Sequence, residues 1–432
     1  VHTNRTTRNY TKDGFIFRGK GVINLHPDLV NSGSTMFNFD GDDNEVLGVL
    51  FDGGRDNTTT GMLTPFGSLV NVNGERCLWD AKTARSQGRG LTISGKNPYV
   101  RRHEDDNSQY SGIRFYVQGG DWDFIKAGVI KCKRVTNSKN DPSTRGVGFN
   151  SDLVSRVESI KIDQYIGSGT DVLMDAETGA ETGDDWFGHV RFGVLDVVRD
   201  IDTGFTSQST CKFENLKSFS ADFVSIMISP TVSAHQGLRI RQITEFVDIG
   251  VLKTNRVSKI PTEIHTKISK AIIEDGVFQN FPYAFERADA GNNAIYLEID
   301  SIITNSSVAR TGSLALVGLR DSTKNKVKLG FQVDKNETVN AVSLTTSSPN
   351  LVQLDDASMV HQVSTTYQES INQLPRIVRH SNTGNIKGLV SKGDMFLYDQ
   401  PSSGGNIGLV CTTQGIAGVD AVLREFGNIA PS

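Results

Sequence analysis

The chain is poor in the features that announce most functional classes. No apolar run approaches the roughly 18 residues needed to span a bilayer, and Val1-His2-Thr3-Asn4-Arg5 does not read as a signal peptide. No long basic stripe is present and the net charge is -4, so nucleic acid is not an expected partner. The four cysteines, Cys77, Cys132, Cys211 and Cys411, are scattered and form no C-x-x-C pair. That spacing argues against a disulfide framework or a zinc site and for buried free thiols. Neither a G-x-S-x-G elbow nor a G-x-x-x-x-G-K-[ST] loop occurs, so a nucleophile-elbow hydrolase and a phosphate-loop enzyme are not expected. Helical periodicity is nearly absent.

What is present is punctuation. The 432 residues include 43 glycines but only 11 prolines, and Gly, Asn, Asp, Ser and Thr separate short apolar runs. That composition predicts an all-β chain with frequent turns. Phe37 and Phe39 precede Asp40-Gly41-Asp42. Leu47, Val49 and Phe51 precede Asp52-Gly53-Gly54, and Ile113, Phe115 and Val117 precede Gly119-Gly120. Each run alternates with period two and is expected to bury one face before a turn that tolerates positive φ.

From about residue 154 a loose repeat emerges. Apolar segments at 157–162, 190–195, 213–216, 240–243, 268–273 and 297–302 start roughly 22 to 34 residues apart, within the range of solenoid coils. A parallel β-helix fits best, each coil adding a strand to each of several parallel sheets at about 4.8 Å spacing. Consecutive β-sandwiches would need more hairpin signals than the single Asn73-Gly74. Near residues 340–350 the character shifts. The expected domains are a β-helix over 1–340, a connector over 341–375 with a short helix at 366–374 before Pro375, and a compact β module over 376–432.

The densest candidate chemistry is carboxylate: two carboxylates at separations that neighbouring coils can supply are what glycoside cleavage uses. The richest excursion, 163–191, carries Glu177, Asp184 and Asp185 beside Trp186, His189 and Arg191. Carboxylates beside an indole suit a sugar, whose apolar face stacks while its hydroxyls are hydrogen-bonded. The plain alternative is a solvated acidic loop. Calcium is a further option for so many hard oxygens, although the spacing is not that of an EF-hand; no metal or other cofactor is expected. Asp196, Asp200 and Asp202 share one face of an extended chain, or simply lead into the turn at Asp202-Thr203-Gly204. Asp123 and Trp122, with Asp121, form a third set that a turn equally explains. Hydrolysis therefore points to Asp184, Asp185, Asp200, Asp202 and Glu177 as catalytic carboxylates, with Trp186, His189, Arg191, Trp122 and Asp123 as sugar-binding residues. A β-eliminating lyase would need a base and a cation instead. For it the best sets are His235 with Arg239 and Arg241, and Tyr99, Arg101, Arg102 and His103. Surface charge is the simpler account of both.

The closing segment runs Gly393-Asp394 through Gly405-x-Ile407-Gly408-x-x-Cys411-Thr412-Thr413-x-Gly415 and ends Phe426-Gly427-x-Ile429. It resembles the terminal motif of bacteriophage tailspikes and capsule depolymerases, and Gly48 to Gly54 is similar to early coils of pectin-lyase-like helices. The resemblance implies a right-handed parallel β-helix shaft and a small C-terminal β module that caps and clasps a homotrimer. It also implies binding and cleavage of bacterial capsular or O-antigen polysaccharide, on a virion tail acting outside the host cell, without membrane insertion. No virion-attachment domain is recognisable, so an upstream segment is expected. A receptor-binding tail protein that holds the glycan without cutting it is the alternative from a different class.

Overall fold

In the computed structural model the described residues are 2–4, 7–25, 35–54, 67–133, 145–152, 154–174, 187–200, 209–232, 236–274, 283–288, 295–305, 315–319, 326–334, 340–344, 351–354, 364–365, 370–373, 377–380, 389–390, 392–398, 405–416 and 420–428. These are all-β, with long parallel sheets and no helix among them. The chain divides into two units, Val1–Gly250 and Val251–Ser432.

In the first unit the chain feeds two parallel ladders by turns. One runs through Glu45–Asp52, Leu78–Ala84, Tyr99–Asp106, Trp122–Lys133, Val157–Ser168 and Phe187–Arg199. The other runs through Phe37–Phe39, Ser68–Val72, Arg89–Ile93, Ser111–Val117, Arg145–Ser151 and Asp171–Met174. The long strand Ser209–Ile228 belongs to both. Residues 211–213 pair with Asp171–Met174, and residues 216–228 pair with Phe187–Arg199. Between them Asn215 has φ +59°, a left-handed corner that Asn tolerates better than most residues. Asn97 and Asn107 make similar corners at the two ends of Tyr99–Asp106.

The pairing offset is about thirty residues. Ile160 faces Val190, and Val190 faces Phe219. Polar side chains repeat the same offset: Asn38 donates to Asn9 at 2.9 Å and Asn71 donates to Asn38 at 2.9 Å, across 29 and 33 residues. Inward positions are apolar and stacked. Ile113, Phe115 and Val117 are fully buried, each contributing roughly 1.5–3 kcal/mol by leaving water. The rings of Phe115 and Phe149 stack with centroids 5.2 Å apart. Phe37 and Phe39 are buried as their alternation predicts.

The run from 47 to 51 departs from simple alternation. Val46, Val49 and Phe51 are buried while Leu47 is only half-buried. Gly48, at φ +74°, inserts a bulge, and the register with Leu78–Ala84 slips between Leu47 and Leu50. One extra residue reverses which side chains face inward. Turns stack as well as strands. A Cβ on Gly74 would lie 1.8 Å from the carbonyl oxygen of Gly41, so successive turns nest only because no side chain intervenes.

The second unit repeats the parallel scheme. His265–Glu274, Tyr296–Asn305, Lys326–Asp334, Leu351–Leu354 and Ser370–Gln373 form one ladder. Val257–Ile260, Tyr283–Arg287, Ala315–Leu319, Asn340–Leu344 and Ser364–Thr365 form the other. The helix expected over 366–374 is corrected: residues 370–373 are a strand, with Ile371 opposite Val352. The ladder's demand for a partner outweighs a weak helical pattern next to Pro375. Pairing then turns antiparallel. Met395–Tyr398 is parallel to Ile377–His380 but antiparallel to Asn406–Thr413, which pairs with Val422–Asn428. Phe396 and Cys411 are buried there, packed by Leu409, Ala421 and Leu423. All four cysteines are free and buried, as their scatter predicts.

Candidate functional site

Most of the expected carboxylates, Glu177, Asp184, Asp185 and Asp202, lie outside the described residues, as do Trp186 and His235. Asp200 is exposed at the end of Phe187–Arg199. Trp122 is a correction. It is 2% exposed, and its Nε1 donates to the carbonyl of Gln118 at 3.1 Å, so it fills the core and has no ring face for a sugar. Asp121 and Asp123 flank it on the exposed side, as period two dictates, and Asp123 accepts a bond from Asn97 at 2.9 Å.

His189 and Arg191 are exposed on the first ladder of the N-terminal unit. In-register parallel pairing stacks equivalent positions at about 4.8 Å, so a residue type repeated coil after coil becomes a column. Here Tyr99 faces Lys126, Lys126 faces Lys161, and Lys161 faces Arg191. All four are exposed, and the column ends at Ser220. Tyr99, Phe124, Lys126, Ala127, Lys161 and Asp163 line an open groove of about 490 Å³. Lys126 sits 4.3 Å over the Phe124 ring, a cation–π contact. Lys161 lies 3.4 Å from Asp163, and Arg191 lies 3.2 Å from Asp222. Beside the column, His189 Nδ1 is 2.9 Å from Ser218 Oγ, and the ring is within 4 Å of both Glu158 and Glu245. The groove thus offers an exposed aromatic and two cations on consecutive rungs, and the next rung beyond its lining carries Arg191 and, beside it, a histidine among carboxylates.

Lys126, Lys161 and Phe124 escaped the sequence reading, although a signal existed. Ile125-Lys126-Ala127, Ile160-Lys161-Ile162 and Val190-Arg191-Phe192 each place one cation between two inward residues.

On the other ladder Arg239 and Arg241 share a face, as their spacing predicts, and both turn to Glu214. That carboxylate is 1% exposed. Lys212 Nζ approaches it to 2.8 Å, Arg241 donates to it at 2.8 Å, and Arg239 lies 3.7 Å away. Three cations converging on one buried carboxylate make a rigid polar node.

Two groups with strongly shifted pKa values lie elsewhere, buried in the core. Asp105 accepts from Thr83 and Ser108 hydroxyls, each at 2.6 Å, yet burial pushes its pKa up to about 6. His103 is the reverse case: burial lowers it to about 4. Its Nδ1 accepts from Trp79 Nε1 at 3.1 Å, and Nε2 lies 3.3 Å from the Gly112 carbonyl. The neutral ring with its proton on Nε2 therefore satisfies both neighbours. Both are buried and bonded to core neighbours, so these two groups are structural. Among the described residues no group of three or more His, Cys, Asp or Glu is placed to hold a metal ion. No helix among them is long and apolar enough to cross a membrane.

No protein-family model matches the chain, no curated protein matches it, and no solved structure matches it.

Proposed function

We propose that this chain is the glycan-engaging part of a phage tailspike. In this reading it is a right-handed parallel β-helix with a C-terminal capping module, assembled as a homotrimer. It binds and cleaves bacterial capsular or O-antigen polysaccharide on a virion tail outside the host cell. The observation that carries the reading is the groove lined by Tyr99, Lys126 and Lys161, with Arg191 on the next rung, because it crosses successive rungs and so offers basic contacts repeatedly to a repeating polymer. The parallel ladders and the terminal motif add support from fold and sequence. Cleavage is assigned to paired carboxylates, with Asp184, Asp185, Asp200, Asp202 and Glu177 as the candidates.

A second reading, β-elimination on a uronic acid polymer, is favoured by the cations, which would stabilise the charge that develops beside an abstracted proton. Digestion of surface polysaccharides separates the two. New reducing ends without ultraviolet-absorbing unsaturated uronate fit hydrolysis, and that absorbance fits elimination. Retained binding with unchanged polymer length removes the enzymatic reading and leaves a receptor-binding protein. Asp184→Asn and Asp200→Asn at wild-type turnover discard those two positions, and a monomer by light scattering undercuts the spike.

A further inference from the structure

We infer that the groove, with the rung beyond it, takes an acidic polysaccharide whose charged groups are carboxylates, laid across the strands from Tyr99 to Arg191. The inference rests on the proposed polysaccharide reading and adds the sign of the polymer's charge and the residues that sense it.

Three facts carry it. First, the column is uniform: Lys126, Lys161 and Arg191 occupy three consecutive rungs, and no acid interrupts them. Rung spacing puts Lys126 and Arg191 roughly 10 Å apart along the stack, so an extended chain lying that way meets a cation at every rung. Second, two of these cations already hold carboxylates in exposed pairs, Lys161 with Asp163 and Arg191 with Asp222. Such pairs are worth at most about 1 kcal/mol, so an incoming carboxylate exchanges for them at little cost. Lys126 instead rests on the Phe124 ring. Third, Tyr99 is 43% exposed at the start of the column and offers a ring face for the apolar side of a sugar. A neutral glycan would leave three cations unused, whereas nucleic acid would call for a basic surface larger than three rungs on a chain of net charge -4.

The test is direct binding of the full chain to a library of acidic and neutral bacterial surface polysaccharides. Each acidic polymer is also presented with its carboxyls reduced to alcohols, and duplex DNA is included. Acidic polymers should bind, weaken as salt rises, and lose at least about tenfold in affinity after carboxyl reduction, as expected when charge-assisted contacts are removed. Lys161→Gln and Arg191→Gln should each weaken binding severalfold. Both side chains are exposed, so the variants should keep the wild-type circular dichroism and melting temperature.

Equal binding of reduced polymers, or binding of neutral polymers alone, overturns the acidic inference while the polysaccharide reading stands. DNA bound as tightly as the acidic polymers overturns it in favour of a general polyanion surface. Unchanged affinity in Lys126→Gln/Lys161→Gln/Arg191→Gln overturns the location. Failure to bind any polysaccharide overturns both readings.

Discussion

Two buried groups with opposite shifts set up a test of how the core responds to pH. Asp105 has its pKa raised to about 6 in the folded chain by desolvation, against about 3.9 when unfolded. The folded state therefore binds this proton more tightly. The stability it contributes is full below pH ~4 and is lost as pH rises through about 6. At about 1.4 kcal/mol per pKa unit, the change is about 3 kcal/mol. His103 runs the other way. Its pKa is about 4 when folded, again through desolvation, against about 6.5 unfolded. The unfolded state now binds the proton more tightly. Stability is full above pH ~6.5 and falls by about 3 kcal/mol as pH drops through about 4. The two slopes oppose each other in one window, so wild-type stability should be nearly level between pH 4 and 6.5 as far as this pair is concerned. Asp105→Asn removes one slope and leaves the other. Its Oδ1 can still accept from Thr83 and Ser108, while its amide meets the Ser108 N–H that donated to Asp105 at 3.2 Å. That mismatch shifts the whole curve without tilting it. The variant should lose about 3 kcal/mol between pH 6.5 and 4, measured by denaturant unfolding followed by tryptophan fluorescence across that range. A variant curve parallel to wild type would refute the reasoning, since it would mean that Asp105 titrates alike in both states.

Other consequences follow from packing and charge. Gly74→Ala places a methyl group 1.8 Å from the Gly41 carbonyl and should destabilise the N-terminal unit by roughly 2–3 kcal/mol, read as a lower unfolding midpoint. Glu214→Gln removes the charge on which Lys212, Arg239 and Arg241 converge. These cations keep some contact with water, so the expected loss is about 1–3 kcal/mol, less than for a sealed pair; an unchanged melting temperature would contradict the node. Burial pushes the Cys77 thiol up to about 11 and the Cys132 thiol well above its ordinary value. Neither should be alkylated by iodoacetamide at pH 8 in the folded chain, and both should react once it is unfolded.

What could be read in advance depended on whether a signal is local. Ile113, Phe115 and Val117 announce their inward face because alternation is a property of adjacent residues. Leu47 misleads because a single bulge at Gly48 changes the phase, and nothing in neighbouring side chains records it. Residues 370–373 differ from their helical pattern for a related reason: their strand state is imposed by Leu351–Leu354, a partner nearly twenty residues away. The cationic column sharpens the same point. Its cations are Lys126, Lys161 and Arg191, separated by unequal intervals because the connections between rungs differ in length. A search at fixed period passes over them. A search anchored on the inward residues finds them, because Ile125, Ile160 and Val190 mark the same rung position and the next residue in each case is basic. In a parallel ladder whose rungs are joined by connections of unequal length, the informative coordinate is distance from the nearest buried side chain, not distance along the sequence. The acidic pair Asp184-Asp185 is conspicuous in the sequence by local density alone, whereas the cationic column becomes visible only when the paired strands are aligned.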